Sequence, residues 1–243
     1  MPKILKPSAN HANTHDAVTT EKLKADATEI LNVLSNGGVA VIGLDVAYAV
    51  IGSKENAIKR IFQAKNRSYE KPSGFFSNWK ISNEIHVLPN EKRGMIQEII
   101  EREKLPFSVV APFNPSHPFF KNVDPFVLQN STKSGTIDML LNAGVLHDEL
   151  VNQSWEMGMP VFGSSANTSL MGSKYRADDI EAEVLNAVDL IADYGLSKYH
   201  NTLGRSSTII DFSDFSVIRV GVMFEELKKA FKDRFNITLH STI

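Results

Sequence analysis

Lys65, Arg67 and Lys71 fall in one short stretch, FQAKNRSYEKPSGFF, of a chain whose formal net charge is only −2. Cations gathered in a chain with no general excess of them suit a local anion such as a phosphate group. Cations at a helix C-terminus also complement the helix dipole, for about 0.3–1 kcal/mol each, so spacing alone leaves both readings open. Arg219 stands between Ile218 and Val220 in an apolar strand pattern, where a guanidinium must meet an anion or face water from an edge strand. Ser165 and Asn167, in SSANTS after an apolar strand, place a hydroxyl and an amide where they could direct a ligand or close an ordinary turn. Ser206, Ser207 and Thr208 open another strand with hydroxyls and backbone N–H groups. Such clusters can cradle phosphate and are also common loop chemistry. The absence of cysteine excludes disulfides, thiolate metal sites and cysteine nucleophiles. No Walker loop, dinucleotide fingerprint, HExxH or GxSxG sequence is present.

The elements that must position these residues read as α/β. Leu23, Ala27, Ile30, Leu31 and Leu34 recur at helical spacing between Thr20 and Asn36, and Asn36-Gly37-Gly38 stops that helix. The run VAVIGLDVAYAVIG reads as two apolar strands, Val39 to Ile42 and Tyr48 to Ile51, parted by a polar break around Gly43 and Asp45. Ala57, Ile58, Ile61, Phe62 and Ala64 predict a helix ending at Lys65. Residues 90–105 predict an amphipathic helix, 107–113 and 135–141 strands, and 159–169 a strand entering a polar turn. Residues 177–195 predict a helix running into an apolar segment, 205–213 and 215–221 two short strands, and 224–235 a terminal helix. Pro112, Pro115, Pro118 and Pro125 make the segment between them loop-rich, a candidate lid or wall.

At 243 residues, 42% hydrophobic and 22% charged, the chain suits one soluble domain with extensions and can bury a full core. The slightly acidic balance argues against a general nucleic-acid coat and leaves room for a local cationic groove. No stretch has the apolar length of a membrane-spanning helix or a secretory h-region, so a cytoplasmic protein without membrane partners is expected. Residues 1–19 are expected as a polar N-terminal extension, His11 and His15 in it as a solvated tail. The main domain is expected over 20–221 and a C-terminal helical extension over 222–243.

The order of these pieces carries more than any one of them. A Gly-Gly turn and strand, an Asp-x-x-Tyr turn, AKNRSYEKP, SSANTS, SSTIID and VIRVG follow one another between about residues 24 and 221. This ordered set resembles the YrdC/YciO family of threonylcarbamoyl-adenylate synthases. The resemblance implies a twisted, open, mixed α/β sheet with flanking helices around a large cationic cavity. It implies a nucleotidyltransferase reaction in which ATP, bicarbonate and L-threonine give threonylcarbamoyl-adenylate and pyrophosphate, for tRNA threonylcarbamoyladenosine modification. RNA or tRNA-modification proteins are further implied partners. It sets Lys65 and Arg67 on the phosphates, Ser165 and Asn167 on the nucleotide, Ser207 and Thr208 on a phosphate or carboxylate, and Arg219 at the nucleotide end. Mg²⁺ is expected mainly on the ATP phosphates, with no dedicated protein cage.

Departures from the family pattern gather at the amino-acid end, where Asp45, Val46, Tyr48, Lys71 and Phe76 are the expected substrate-pocket residues. Asp45 and Tyr48 keep the pattern, but Leu44 and Val46 stand at its threonine positions. Phe76 replaces a histidine, Leu140 an arginine, and Ser206 a glutamate. Losing hydrogen-bonding groups from a site built around them alters discrimination by orders of magnitude. The resemblance therefore implies a synthase-like enzyme for which L-threonine is a poor substrate. The alternatives are a paralogue using another acceptor or nucleotide, and a non-catalytic nucleotide- or RNA-binding module.

Overall fold

Fourteen nearly continuous apolar and small residues, 39–52, form two strands joined by a connection in which the Gly43 N–H donates to Ala192 O (3.0 Å) and the Asp45 N–H to Ala143 O (2.8 Å). The structure is a computed structural model that describes residues 2–7 and 18–241. His11 and His15 lie outside the described residues. In chain order the strands are β1 (Lys3–Leu5), β2 (Ala40–Ile42), β3 (Ala49–Gly52), β4 (Gly74–Phe76), β5 (Phe107–Pro112), β6 (Thr132–Lys133), β7 (Thr136–Leu141), β8 (Phe162–Ser165), β9 (Leu190–Ala192), β10 (Ile209–Asp211), β11 (Ser216–Arg219) and β12 (His240–Ser241). The helices are α1 (Thr20–Ser35), α2 (Glu55–Ala64), α3 (Trp79–Ile85), α4 (Asn90–Glu101), α5 (Pro125–Gln129), α6 (Val145–Glu156), α7 (Ala182–Leu185) and α8 (Phe224–Phe235).

All twelve strands join one mixed sheet in the order β1-β9-β2-β3-β8-β4-β7-β5-β10-β11-β12, with β6 beside β7. Lys3–Leu5 pairs in parallel with β9, and His240–Ser241 in parallel with β11, so residues from both chain ends form the sheet's edges. The helices begin and end for local reasons. Thr19 caps α1 by accepting from the Lys22 N–H, and Gly37, at φ 80°, turns the chain out of it. The amphipathic pattern at 90–105 stops early, at Glu101, and Lys104, three residues beyond, adopts φ 57°. Residues 177–195 give only a 3-10 turn and the four-residue α7 before β9.

Alternation assigns the two faces of the sheet. In β7, Ile137, Met139 and Leu141 are fully buried on one face, while Thr136, Asp138 and Leu140 project from the other. The first face is packed with aromatic rings: Phe75 meets Phe119, Phe120 and Phe162, and Phe212 meets Phe107 and Phe231 of α8. The proline-rich segment expected as a lid or wall packs on this core face through Phe119 and Phe120. It contributes nothing to the cavity on the opposite face. Among the described residues, no helix is long and apolar enough to cross a membrane.

Candidate functional site

The second face of the sheet carries a cavity of ≈ 990 Å³. Its floor is a grid fixed by strand register: Phe76 lies beside Leu140, Leu140 beside Ser108, Ser108 beside Ile209, and Ile209 beside Arg219. One step along, Asp138 lies beside Val110 and Val110 beside Asp211. Arg67, Lys71, Lys133, Arg205 and Arg219 bring positive charge to the lining, against Glu70, Asp138 and Asp211. Cations thus outnumber carboxylates there although the chain as a whole is slightly acidic.

The AKNR stretch divides its two inner cations. At the end of α2 the Lys65 ammonium turns inward and donates to the carbonyl oxygens of Ser165 and Asn167. Lys65 is 1% exposed, and burial, helped by the Arg67 charge, pushes it down to about 7. A neutral amine keeps two N–H donors for those two carbonyls. The expectation that Lys65 faces a phosphate is therefore corrected: it lies beneath the Ser165–Asn167 turn and holds its shape. Asn66, at φ 47°, then reverses the chain. Arg67 consequently enters the cavity, donating from Nη1 to Ser164 Oγ (2.8 Å), from Nε to Lys71 O (2.9 Å) and from Nη2 to Pro72 O (2.6 Å). Burial and the like charge of Arg219 hold its guanidinium below the ordinary range.

Across the cavity, Arg219 donates from Nε and Nη2 to Ser207 O (3.0 and 2.8 Å) and from Nη2 to Ser207 Oγ (3.0 Å). Ser207 Oγ lies 3.2 Å from Ser108 Oγ. Thr208 is fully buried; its hydroxyl donates to Val222 O (2.9 Å) and accepts from the Gly221 N–H (3.0 Å). The assignment of Thr208 to a ligand is thus corrected, because alternation turns it away from the cavity that Ser207 faces. Ser165 and Asn167 line the same cavity as Arg219. Asn167 donates to Thr168 O (2.6 Å), and its Oδ1 has no partner among the described residues.

The residues expected at an amino-acid end divide by the same alternation. Leu44, Val46 and the Tyr48 ring face the cavity with Phe76 and Leu140, making one wall apolar. The Tyr48 hydroxyl points away, 2.9 Å from Asp193 Oδ1 and 2.8 Å from Gly195 O, and burial pushes its ionisation up. Asp45, expected in the substrate pocket, is not in the lining. It turns to the start of α6, where Gly144, at φ 115°, leaves room: a Cβ there would come within 2.5 Å of Asp45 Oδ1. A carboxylate at a helix N-terminus is favourably placed. Lys71 is in the lining of the cavity.

Asp138, Ser108 and Ser164 were not singled out from sequence. The signal for Asp138 was present, since a charged residue between Ile137 and Met139 in an apolar strand raises the same question as Arg219. Burial pushes its carboxyl up, against the opposing pull of Arg219, Ser108 and Arg67.

The sequence profile of the Sua5/YciO/YrdC family, described as "Telomere recombination", matches residues 32–221. The chain belongs to this family. Over 190 residues it is 25% identical to a Methanocaldococcus jannaschii protein provisionally named a threonylcarbamoyl-AMP synthase, covering 76% of this chain and 79% of that protein. A hypothetical protein of Streptococcus mutans shares the fold with TM-score 0.77 and 18% identity, over 99% of this chain and 98% of its own. Sua5 of P. abyssi, solved with L-threonine, superposes with TM-score 0.66 and 20% identity, over 99% of this chain and 62% of Sua5. The fold agrees with the large mixed sheet and flanking helices that the resemblance implied.

Proposed function

We propose that the protein forms a carbamoyl-adenylate: ATP, bicarbonate and the amine of an amino-acid-like acceptor give the adenylate, pyrophosphate and water. The observation that carries this reading is the convergence of Arg67, Ser165, Asn167, Ser207 and Arg219 on one cavity. Of these, Arg67, Ser165, Asn167 and Ser207 are proposed to hold the nucleotide, and Arg219 is left to face the acceptor: the Arg67 guanidinium neutralises charge as pyrophosphate leaves, and hydroxyl and amide groups direct the remainder. Lys65 and Thr208 act behind them, as supports for the Ser165–Asn167 turn and for Ser207. Among the described residues no cluster of three His, Cys, Asp or Glu side chains could cage a metal ion. Mg²⁺ is proposed to travel on the phosphates, as a hard, hydrated cation prefers. The family assignment and the name of the M. jannaschii relative support carbamoyl-adenylate formation as the reaction class.

The acceptor is proposed to differ from L-threonine. Leu44, Val46, Phe76 and Leu140 offer no partner to a hydroxyl, and leaving one unpaired costs about 1–3 kcal/mol. Pyrophosphate release, followed with ATP, bicarbonate and each amino acid in turn, tests the reading. Acceptor-dependent release that is poor with threonine is expected; no release with any acceptor overturns the enzyme.

A further inference from the structure

The nucleotide reading uses none of the cavity's three carboxylates, Glu70, Asp138 and Asp211, and of these Asp138 alone has a buried oxygen without a partner among the described residues. Asp138 stands on its floor among groups chosen for anions, within the electrostatic reach of Arg67 and Arg219. Yet among the described residues no ion pair joins it to either guanidinium, and its Oδ1 is buried with no hydrogen-bond partner. Buried polar atoms are nearly always paired, so an orphan at a site's floor asks for a donor from the ligand. Arg67 donates from all three nitrogens to protein oxygens, whereas Arg219 keeps Nη1 without a partner among the described residues. Leu140 projects from the same face of β7, two residues and about 7 Å from Asp138. Beside it lies Phe76, and Leu44 and Val46 complete the wall. An acceptor for a cation, a donor for an anion and a dry surface therefore border one space.

We propose that Asp138 makes this cavity a three-point site for the zwitterion of an apolar α-amino acid. Its carboxylate takes the ammonium, Arg219 takes the carboxylate, and the Leu44, Val46, Phe76 and Leu140 wall takes the side chain. This deepens the proposed function by naming the acceptor class, and rests on that reading for the acceptor's fate. Asp138 is then a specificity residue. The competing view has Asp138 merely tempering the arginines' charge, in which case an amine on the ligand would bring no benefit.

Calorimetric titration of the full chain without nucleotide separates the two. The probes are L-leucine, L-threonine, 4-methylpentanoate, which is leucine without its amine, and 3-methylbutylamine, which is leucine without its carboxylate. The wild type is expected to bind leucine at least about tenfold tighter than each of the others, about 1.4 kcal/mol. In Asp138→Asn, leucine should fall to the level of 4-methylpentanoate, which itself stays unchanged or tightens. No leucine binding, leucine no tighter than 4-methylpentanoate, threonine equal to leucine, or a preference that survives in Asp138→Asn would each overturn the proposal. The wild-type series needs no variant to fold. A separate ATP titration keeps the readings apart, because failure to bind ATP sinks the nucleotide site and leaves amino-acid selectivity standing.

Discussion

One left-handed residue, Asn66, separates two cations that the sequence presents as equivalents. Arg67→Ala should weaken ATP binding by roughly 1.5–3 kcal/mol, the worth of a hydrogen bond to a charged group, beyond the stability lost with its bonds to Ser164, Lys71 and Pro72. Lys65→Met should do the reverse in emphasis, lowering stability because the Ser165 and Asn167 carbonyls lose their donor. Parallel calorimetry and thermal melts check both, and equal affinity losses without destabilisation in Lys65→Met would return Lys65 to the cavity. Lys65 also carries a pH signature. Its folded value of about 7 lies below the ordinary 10.5, so the unfolded chain binds more protons between them. Stability from this group is complete above pH 10.5 and is lost as pH falls toward 7. Relative to Lys65→Met, the wild type should therefore gain stability between pH 7.5 and 9.5, by at most about 1.4 kcal/mol per pH unit. Denaturant titrations at several pH values read that slope. The sequence exposed the clustering of these cations and the isolation of Arg219. It could not say which cation turns inward, since that depends on a single backbone φ and on a turn a hundred residues away.

Strands and turns decide how firmly the site is held. Gly221 lies against the backbone of Ser206–Thr208 so closely that a Cβ would come 2.2 Å from Ser206 O and 2.3 Å from Thr208 N. Gly221→Ala must push that segment away, and with it Ser207 and its bonds to Arg219. A cost on the order of 3 kcal/mol and a loss of ATP affinity are expected together. Gly94→Ala, within α4 and with nothing within 4 Å of the added methyl, should instead stabilise by about 0.5–1 kcal/mol. Thermal melts of the two variants and ATP titration of the first test the contrast. Elements with a clean period were readable from sequence: α1, α8 and the β2–β3 pair lie within a residue or so of their expected bounds. The short α3 and the whole of α6 were not. Leu146, Leu150 and Val151 do mark a buried face in α6, but its N-cap is Gly144, with no capping side chain to announce a helix start. β1, β4 and β12, two or three residues each, exist only because a neighbouring strand supplies their hydrogen bonds. No local pattern can announce them.

At the scale of the whole molecule, resemblance supplied what periodicity could not: the order of motifs implied one cavity, and strand register explains why Ser165, Asn167 and Arg219 share it. Asp138 escaped notice because its proposed role follows from residues on β4, β11 and the β2–β3 connection. The same interleaving sets a clock. β2 pairs with β9, β3 with β8, and β5 with β10, so central neighbours are separated by 100 residues or more of chain. Such pairings must close long loops before any contact rewards them, which makes folding slow, in the range of milliseconds to seconds or beyond. No early fragment can own the cavity, because its lining is drawn from residue 44 to residue 220. Refolding from urea should therefore show helical circular dichroism returning first and ATP binding returning only in the slowest phase. Ligand-binding competence gained in an early phase would mean that a smaller unit assembles by itself. For a chain still leaving the ribosome, this arrangement keeps the binding site from existing until β10 and β11 have emerged to complete it.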